Sequence, residues 1–284
     1  MNQAEVMPRV AFQGERGAFS EEAAIQLLGD RIHLVPRPTF ESLFAAIDED
    51  AADYLLAPVE NSLAGSVHRS YDLLLESSLH ISGEVIIPIR HFLIGCSGSS
   101  LDTIETVESH PVALAQCERF FAEHPQFQRI ATEDTAGSVA HVVGQGDRTR
   151  AAIAGLRAAK LYGGVVLSEN LEDHVENYTR FVLLTSAESI SPGANKLSLA
   201  LKLPHQGGAL YRALEPFARR DIDLVKIESR PIKGRPWEYH FYLDFQASIN
   251  DSRVIEALAE LNERALDLRV LGCYPAAGNS GQFH

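Results

Sequence analysis

From residue 10 to residue 184 the chain keeps one rhythm: a short apolar run, a polar turn, then apolar residues at helical spacing. Residues 10–12, 32–35, 54–57, 128–132, 151–154 and 165–167 read as strands, since β-branched, aromatic or small apolar residues run there without polar breaks. Stretch 81–96 is rich in strand, and 103–107 reads as another strand. Helices are predicted over 20–28, 39–47, 67–75, 112–124, 134–143 and 156–161. Ser20 is placed as the first helix's N-cap, Thr39 or Ser42 as the second's, and Asp134 or Thr135 as a cap further on. About six strand–helix alternations predict an α/β fold with a mainly parallel sheet, in two lobes. Polar clusters follow strands in both halves, which points to a ligand cleft between the lobes.

The rhythm changes after residue 185. Residues 186–195 are small, polar and aperiodic, and are predicted as a linker. Beyond it a strand (196–203), a helix (208–218), two strands (224–229 and 237–245), a helix (254–261) and a last strand (268–273) give the βαββαβ order of a ferredoxin-like domain. Such a sheet has edges that pair between chains, so an oligomer is expected.

Composition narrows the function. A formal net charge of −13 over 284 residues disfavours nucleic acid. It leaves a small anionic substrate open, because distant charges are screened and local arginines decide. Three cysteines without a CxxC pair argue against a disulfide framework and a zinc site. No apolar run is long enough to span a bilayer, and the first residues lack a signal-peptide pattern. The expected home is a reducing cytoplasm, with no membrane partner. No metal motif, Gly-x-Ser-x-Gly elbow or dinucleotide fingerprint occurs, so neither metal nor cofactor is expected. The densest chemistry lies in Asn177-Tyr178-Thr179-Arg180-Phe181, where a hydroxyl and a guanidinium lead into an apolar strand.

Seven short motifs stand in one order along nearly the whole chain. They are Gly14-Glu15-Arg16-Gly17-Ala18-Phe19-Ser20; Pro58-Val59-Glu60-Asn61-Ser62; Ser109-His110-Pro111 with Gln116-Cys117; Asp134-Thr135-Ala136-Gly137; Asn177-Tyr178-Thr179-Arg180-Phe181; Gly208-Ala209-Leu210; and Glu228-Ser229-Arg230-Pro231. Together they resemble the prephenate dehydratases that carry a C-terminal ACT regulatory domain. Val59, Val112 and Glu133-Asp134 depart from the family pattern. The resemblance implies a two-lobed catalytic domain like a periplasmic binding protein over 8–185, and a ferredoxin-like ACT domain over 196–275. It implies the decarboxylating dehydration of prephenate to phenylpyruvate. By resemblance, Thr179 assists the leaving hydroxyl, with Glu60 as the other candidate acid. Arg180 grips a carboxylate and Phe181 shapes the pocket. Asn61, Ser62, Ser109, Gln116, Thr135, Asn177 and Ser20 bind the substrate. L-phenylalanine is implied as an inhibitory effector at Gly208, Ala209, Leu210, Glu228, Ser229, Arg230 and Pro231, between two subunits of a homodimer or tetramer. Three rival readings stay open: an arogenate dehydratase, a two-lobed sensor without catalysis, and an unspecified α/β protein with a ferredoxin-like appendage.

Overall fold

The computed structural model describes residues 7–187 and 190–278. Of the predicted linker, Glu188 and Ser189 lie outside the described residues. In chain order the elements of the first part are β1 (Arg9–Gln13), α1 (Phe19–Leu28), β2 (His33–Arg37), α2 (Phe40–Ala45), β3 (Tyr54–Asn61), β4 (Gly65–Ser66), α3 (His68–Glu76), β5 (His80–Pro88), β6 (Phe92–Gly95), β7 (Thr106–Ser109), α4 (Pro111–Ala115), α5 (Glu118–Glu123), β8 (Gln128–Ala131), α6 (Thr135–Gln145), β9 (Arg150–Ala154), α7 (Leu156–Tyr162), β10 (Val165–Ser168) and β11 (Tyr178–Thr185). The second part holds β12 (Lys196–Lys202), α8 (Ala209–Ala218), β13 (Leu224–Pro231), β14 (Tyr239–Phe245), α9 (Ser252–Arg264) and β15 (Asp267–Tyr274).

The chain forms two compact units. The first, residues 1–70 and 86–181, of which 1–6 lie outside the described residues, holds two lobes built on two sheets, apart from residues 80–85 of β5 and 182–185 of β11, which fall in the second unit. One sheet runs β2-β1-β3-β11-β5, with β4 hairpinned onto β3. The other runs β10-β6-β9-β7-β8. The β1–β2, β1–β3, β7–β8 and β7–β9 pairs are parallel, whereas β6–β9 and β6–β10 are antiparallel, so the second sheet is mixed rather than mainly parallel. The cause is the route of the chain: β6 enters this sheet directly from the other lobe, without a helical crossover.

Three local expectations need correction. Ser20 does not cap α1; it lies inside the helix, and Ala18 is the cap. Gly17, at φ +87° and so near α7 that a β-carbon there would stand 3.0 Å from the Ala158 α-carbon, makes the turn just before the helix, which begins at Phe19. The third strand does not stop at residue 57 but runs through Pro58 to Asn61. The predicted helix 112–124 is two helices, because Asp173 breaks it: its carboxylate accepts from the N–H groups of Glu118 and Arg119, and its own N–H donates to the Gln116 carbonyl at 2.7 Å. At α2 and α6 the expected caps form, with a Thr39–Ser42 capping box and Asp134 accepting from Gly137 N–H.

The second unit comprises residues 71–85 and 182–284, of which 279–284 lie outside the described residues. Its antiparallel sheet has the order β13-β14-β12-β15, the ferredoxin-like arrangement of a βαββαβ chain. Leu197, Leu199, Phe217, Leu243, Phe245, Val254 and Leu261 form its core between sheet and helices. Residues 71–85 dock onto this sheet by specific bonds. The Arg269 guanidinium donates to the carbonyls of Leu74, Leu75, Ser77 and Leu79, thereby closing the end of α3. Gly272 allows the Ile81 carbonyl so close that a β-carbon there would stand 2.1 Å from its oxygen. The Lys196 ammonium, 2.9 Å from the buried Glu84 carboxylate, neutralises it.

Candidate active site

The first unit holds a cavity of about 390 Å³, within the usual range for a small-molecule site. Its wall includes Ile89 and His91, from one of the two stretches by which the chain passes between the sheets, residues 89–91 between β5 and β6; the other is residues 169–177, between β10 and β11. These crossovers are tied together, Ile89 N–H donating to the Asn177 carbonyl at 2.8 Å and Leu171 N–H to the His91 carbonyl at 3.0 Å.

The cavity wall includes Ser20, Asn61, Gln116, Thr135 and Thr179. Four of them stand at element ends. Asn61 ends β3, Thr179 is the second residue of β11, Gln116 follows α4, and Thr135 opens α6. The starts of α1 and α6 both border the cavity, so their positive ends favour an anion there. No lysine or arginine occurs among the described lining residues.

A hydrogen-bond chain fixes these polar groups, and its direction follows from two backbone amides. The Asn61 side-chain oxygen accepts from Leu63 N–H at 3.0 Å and Ala64 N–H at 2.8 Å, which settles the amide orientation. Its Nδ2 therefore faces three acceptors, Asn177 Oδ1 at 2.8 Å, the Tyr178 carbonyl at 3.0 Å and Thr179 Oγ1 at 3.0 Å, and shares its two hydrogens among them. Asn177, fully buried, must then present its own Nδ2 to Gln116 Oε1 at 2.9 Å. Gln116 Oε1 lies 2.9 Å from His91 Nε2. An amide oxygen only accepts, so the imidazole carries its proton on Nε2. Burial lowers the His91 pKa below the ordinary histidine value, against the opposing Gln116 hydrogen bond and Glu172 charge, so the ring is neutral at pH 7. The consequence for Thr179 is direct. Its oxygen is already an acceptor, so its hydrogen is available to a ligand.

Strand geometry sorts the other predicted residues. Successive side chains on a strand face opposite ways. Asn61 and Thr179 line the cavity, and their neighbours Glu60 and Arg180 pair on the other side, with Arg180 Nη1 3.8 Å from Glu60 Oε2. Phe181 is buried at 2% exposure below the wall. The Ser62 hydroxyl donates to the Glu176 carbonyl at 2.6 Å and accepts from Tyr178 N–H at 2.9 Å, fastening β3 to the approach of β11. Ser109, fully buried, donates to the Ile153 carbonyl at 2.6 Å. None of Glu60, Ser62, Ser109, Arg180 and Phe181 is in the cavity wall, and Asn177 stands one bond behind it.

Phe19, His110 and Asp134, which stand in the sequence motifs but carry no predicted site role, also line the cavity, as does His91, which stands in none of them. His91 is one of eleven scattered histidines, and nothing adjacent in the chain marks it. Its significance depends on Gln116, a contact 25 residues away.

Among the described residues no helix is long and apolar enough to cross a membrane, and no group of three or more His, Cys, Asp or Glu side chains is placed to hold a metal ion.

Comparison with known proteins places this architecture. The chain is 42% identical over 279 residues to the arogenate dehydratase/prephenate dehydratase 2 of Arabidopsis thaliana, covering 94% of this chain and 72% of that one. A prephenate dehydratase from Arthrobacter aurescens, solved in complex with L-Phe, superposes with a TM-score of 0.86 at 31% identity, over 94% of this chain and 90% of that one. GqqA, described as a quorum quenching acylase, superposes with a TM-score of 0.87 at 32% identity, over 95% and 98%. The family model for prephenate dehydratase matches residues 10–189, the stretch that builds both lobes and the whole cavity wall, so the chain belongs to the prephenate dehydratase family.

Proposed function

We propose that the chain converts prephenate to phenylpyruvate, carbon dioxide and water. The observation that carries the reaction is the Thr179 hydroxyl in the cavity wall, its oxygen 3.0 Å from the Asn61 amide nitrogen, which has only hydrogens to offer it. In prephenate the bond to the ring carboxylate breaks and its electron pair enters the ring. The C–O bond opposite breaks, and its pair leaves with the oxygen, which departs as water after taking up a proton. Aromatisation drives the step, so the chemistry requires no redox cofactor. The protein positions the substrate and stabilises charge on the departing oxygen. Thr179 hydrogen-bonds that oxygen, while Gln116, Ser20, Thr135 and the starts of α1 and α6 orient the carboxylates. The position of Thr179 in the wall, with Glu60 on the far face, favours Thr179 over Glu60 as the group at the leaving oxygen. Arg180, beside Glu60 and 8% exposed, supplies charge balance next to the wall. The acylase activity named for GqqA would call for a nucleophile with a base beside it; the group beside Thr179 is an amide that donates and takes no proton.

The second unit serves as an ACT regulatory domain that binds L-phenylalanine as an inhibitor. Its support is a cavity of about 220 Å³ bordered by Gly208, Ala209, Leu210, Trp237, Tyr239 and Phe241, a partly aromatic setting suited to a phenyl ring. Glu228, Ser229, Arg230 and Pro231 lie on β13, the sheet edge, whose Val225 and Ile227 are exposed; that edge fits pairing into a homodimer, or a tetramer built from it. Three buried free thiols, Cys96, Cys117 and Cys273, fit a reducing compartment such as the cytoplasm.

The test is turnover of prephenate and, separately, of arogenate, each with and without L-phenylalanine. Phenylpyruvate formed from prephenate and suppressed by L-phenylalanine is the expected result. Turnover of arogenate alone would reassign the substrate. Absence of turnover with either, alongside L-phenylalanine binding, would make the chain a sensor.

A further inference from the structure

We propose that His91 is a positioning residue for this reaction, acting through Gln116. Three observations carry it. His91 is 1% exposed and sits in the cavity wall on one of the two crossovers. Its Nε2–H meets Gln116 Oε1 at 2.9 Å, the oxygen that also accepts from Asn177. Its other ring nitrogen, Nδ1, is buried with no hydrogen-bond partner.

The last observation separates a functional role from a packing role. A buried acceptor without a donor is a cost of folding, and an apolar ring would fill this place beside Phe19, 5.9 Å away edge-on, without that cost. What an apolar ring does not supply is the Nε2–H. With two donors on Gln116 Oε1, the amide is locked oxygen-inward, and its Nε2 is the end left for a ligand, with no protein partner among the described residues. Without His91 only the Asn177 bond orients it, and the side chain gains freedom to turn. The imidazole is held in turn by its backbone, His91 N–H donating to the buried Glu172 carboxylate at 2.9 Å. Arg90, 3.5 Å from the other oxygen of Glu172, balances that charge. His91 thus joins the carboxylate anchoring one crossover to the amide that faces the substrate.

The inference rests on the proposed reaction for its kinetic readout, and two isosteric variants test it. Glutamine places its amide nitrogen near the Nε2 position and asparagine near the Nδ1 position. H91Q is expected to recover most of the parent activity. H91N is expected to lose roughly ten- to a hundred-fold in kcat/KM, the scale of one lost hydrogen bond in a binding site. In a Q116A background H91N is expected to add little, because its effect passes through Gln116. Equal losses in H91Q and H91N, or an H91N loss that adds in full to that of Q116A, would overturn the assignment. Nitrogen-15 NMR of the imidazole in the unmutated chain decides the premise independently of turnover and of how the variants fold. A neutral ring protonated on Nε2 supports the role, and one protonated on Nδ1 defeats it. A parent chain inactive on both prephenate and arogenate would sink the reaction instead, leaving the NMR result to stand by itself.

Discussion

The Asn61 amide nitrogen lies 3.0 Å from the Thr179 hydroxyl oxygen, and its own oxygen is held by two backbone N–H groups of the turn that follows β3. One turn therefore sets the direction of the hydroxyl at the cavity. Thr179→Ala is expected to lower kcat by roughly 10²–10⁴-fold while changing KM little, because the lost bond forms chiefly as the leaving oxygen gains charge. Thr179→Ser, which keeps the hydroxyl, should retain far more activity. Steady-state kinetics of the two variants check this, and an unaltered kcat in Thr179→Ala would remove the residue from the chemistry.

Asn61→Asp tests the direction of the chain rather than its members. The carboxylate still accepts from Leu63 and Ala64 N–H, but its second oxygen would face Asn177 Oδ1, Thr179 Oγ1 and the Tyr178 carbonyl, all acceptors. Thr179 would be drawn to donate into this carboxylate and away from the substrate. The expected outcome is a loss in kcat comparable to that of Thr179→Ala, together with a destabilisation of about 1–3 kcal/mol from unmatched buried acceptors, read by denaturant titration. Full activity would mean that Thr179 is oriented by something other than Asn61.

Much of this was legible in the sequence, for reasons that also mark where it stopped. The strand of residues 181–184 and the βαββαβ rhythm after 195 depend on local apolar periodicity, and β11 and the second sheet follow it. Gln116 was expected within one continuous helix over 112–124, and only Asp173, 57 positions on, breaks that helix and leaves Gln116 at the end of α4. Thr179 and Arg180 looked like one functional pair because they are adjacent, whereas the strand sends them to opposite faces. His91 carried no local signal at all, since its partner Gln116 and its anchor Glu172 both come from distant parts of the chain.

Glu21 gives a pH-dependent prediction. Its carboxylate is fully buried, accepting from Arg16 Nε at 2.6 Å, Gly17 N–H at 3.1 Å and Arg157 Nε at 2.8 Å, so it ties the loop before α1 to α7 of the other lobe. Burial opposes the charge, and the hydrogen bonds from Arg16, Arg157 and Gly17 more than offset it, leaving the pKa below the ordinary glutamate value of 4.5. A depressed pKa means that the stabilisation is complete above 4.5 and is lost as pH falls through the lower folded value. Glu21→Gln is therefore expected to cost about 1–3 kcal/mol at pH 7, since the two arginines left behind are partly exposed and regain water, and to flatten the decline of melting temperature below pH 4.5. Parallel melting curves from pH 7 to pH 3 would contradict this.

Arg230 links the proposed effector segment to α3. Its guanidinium grips the Asp72 carboxylate through two bonds, at 3.0 and 3.3 Å, and the Tyr242 hydroxyl donates to the neighbouring Tyr71 carbonyl at 2.9 Å. Asp72 lies on α3, which begins at His68, directly after Ser66 and Val67 of the cavity wall. If L-phenylalanine binds at the Glu228–Pro231 segment, it competes for or reinforces the hold of Arg230 on α3, and the helix carries the difference to Ser66 and Val67 through the chain itself. Coupling of this kind requires a differential interaction of the effector with two states. Asp72→Asn, which removes the charge and keeps the shape, is expected to leave uninhibited kcat/KM within about threefold and to shift the L-phenylalanine concentration for half-inhibition by roughly 5–150-fold, the range of ordinary allosteric couplings. Calorimetric titration of the same variant separates the two halves of the effect. Unchanged L-phenylalanine affinity with lost inhibition places the fault in the transmission through α3, and weakened affinity places it in the effector site. Inhibition and affinity both matching the parent would exclude the Arg230–Asp72 pair from regulation.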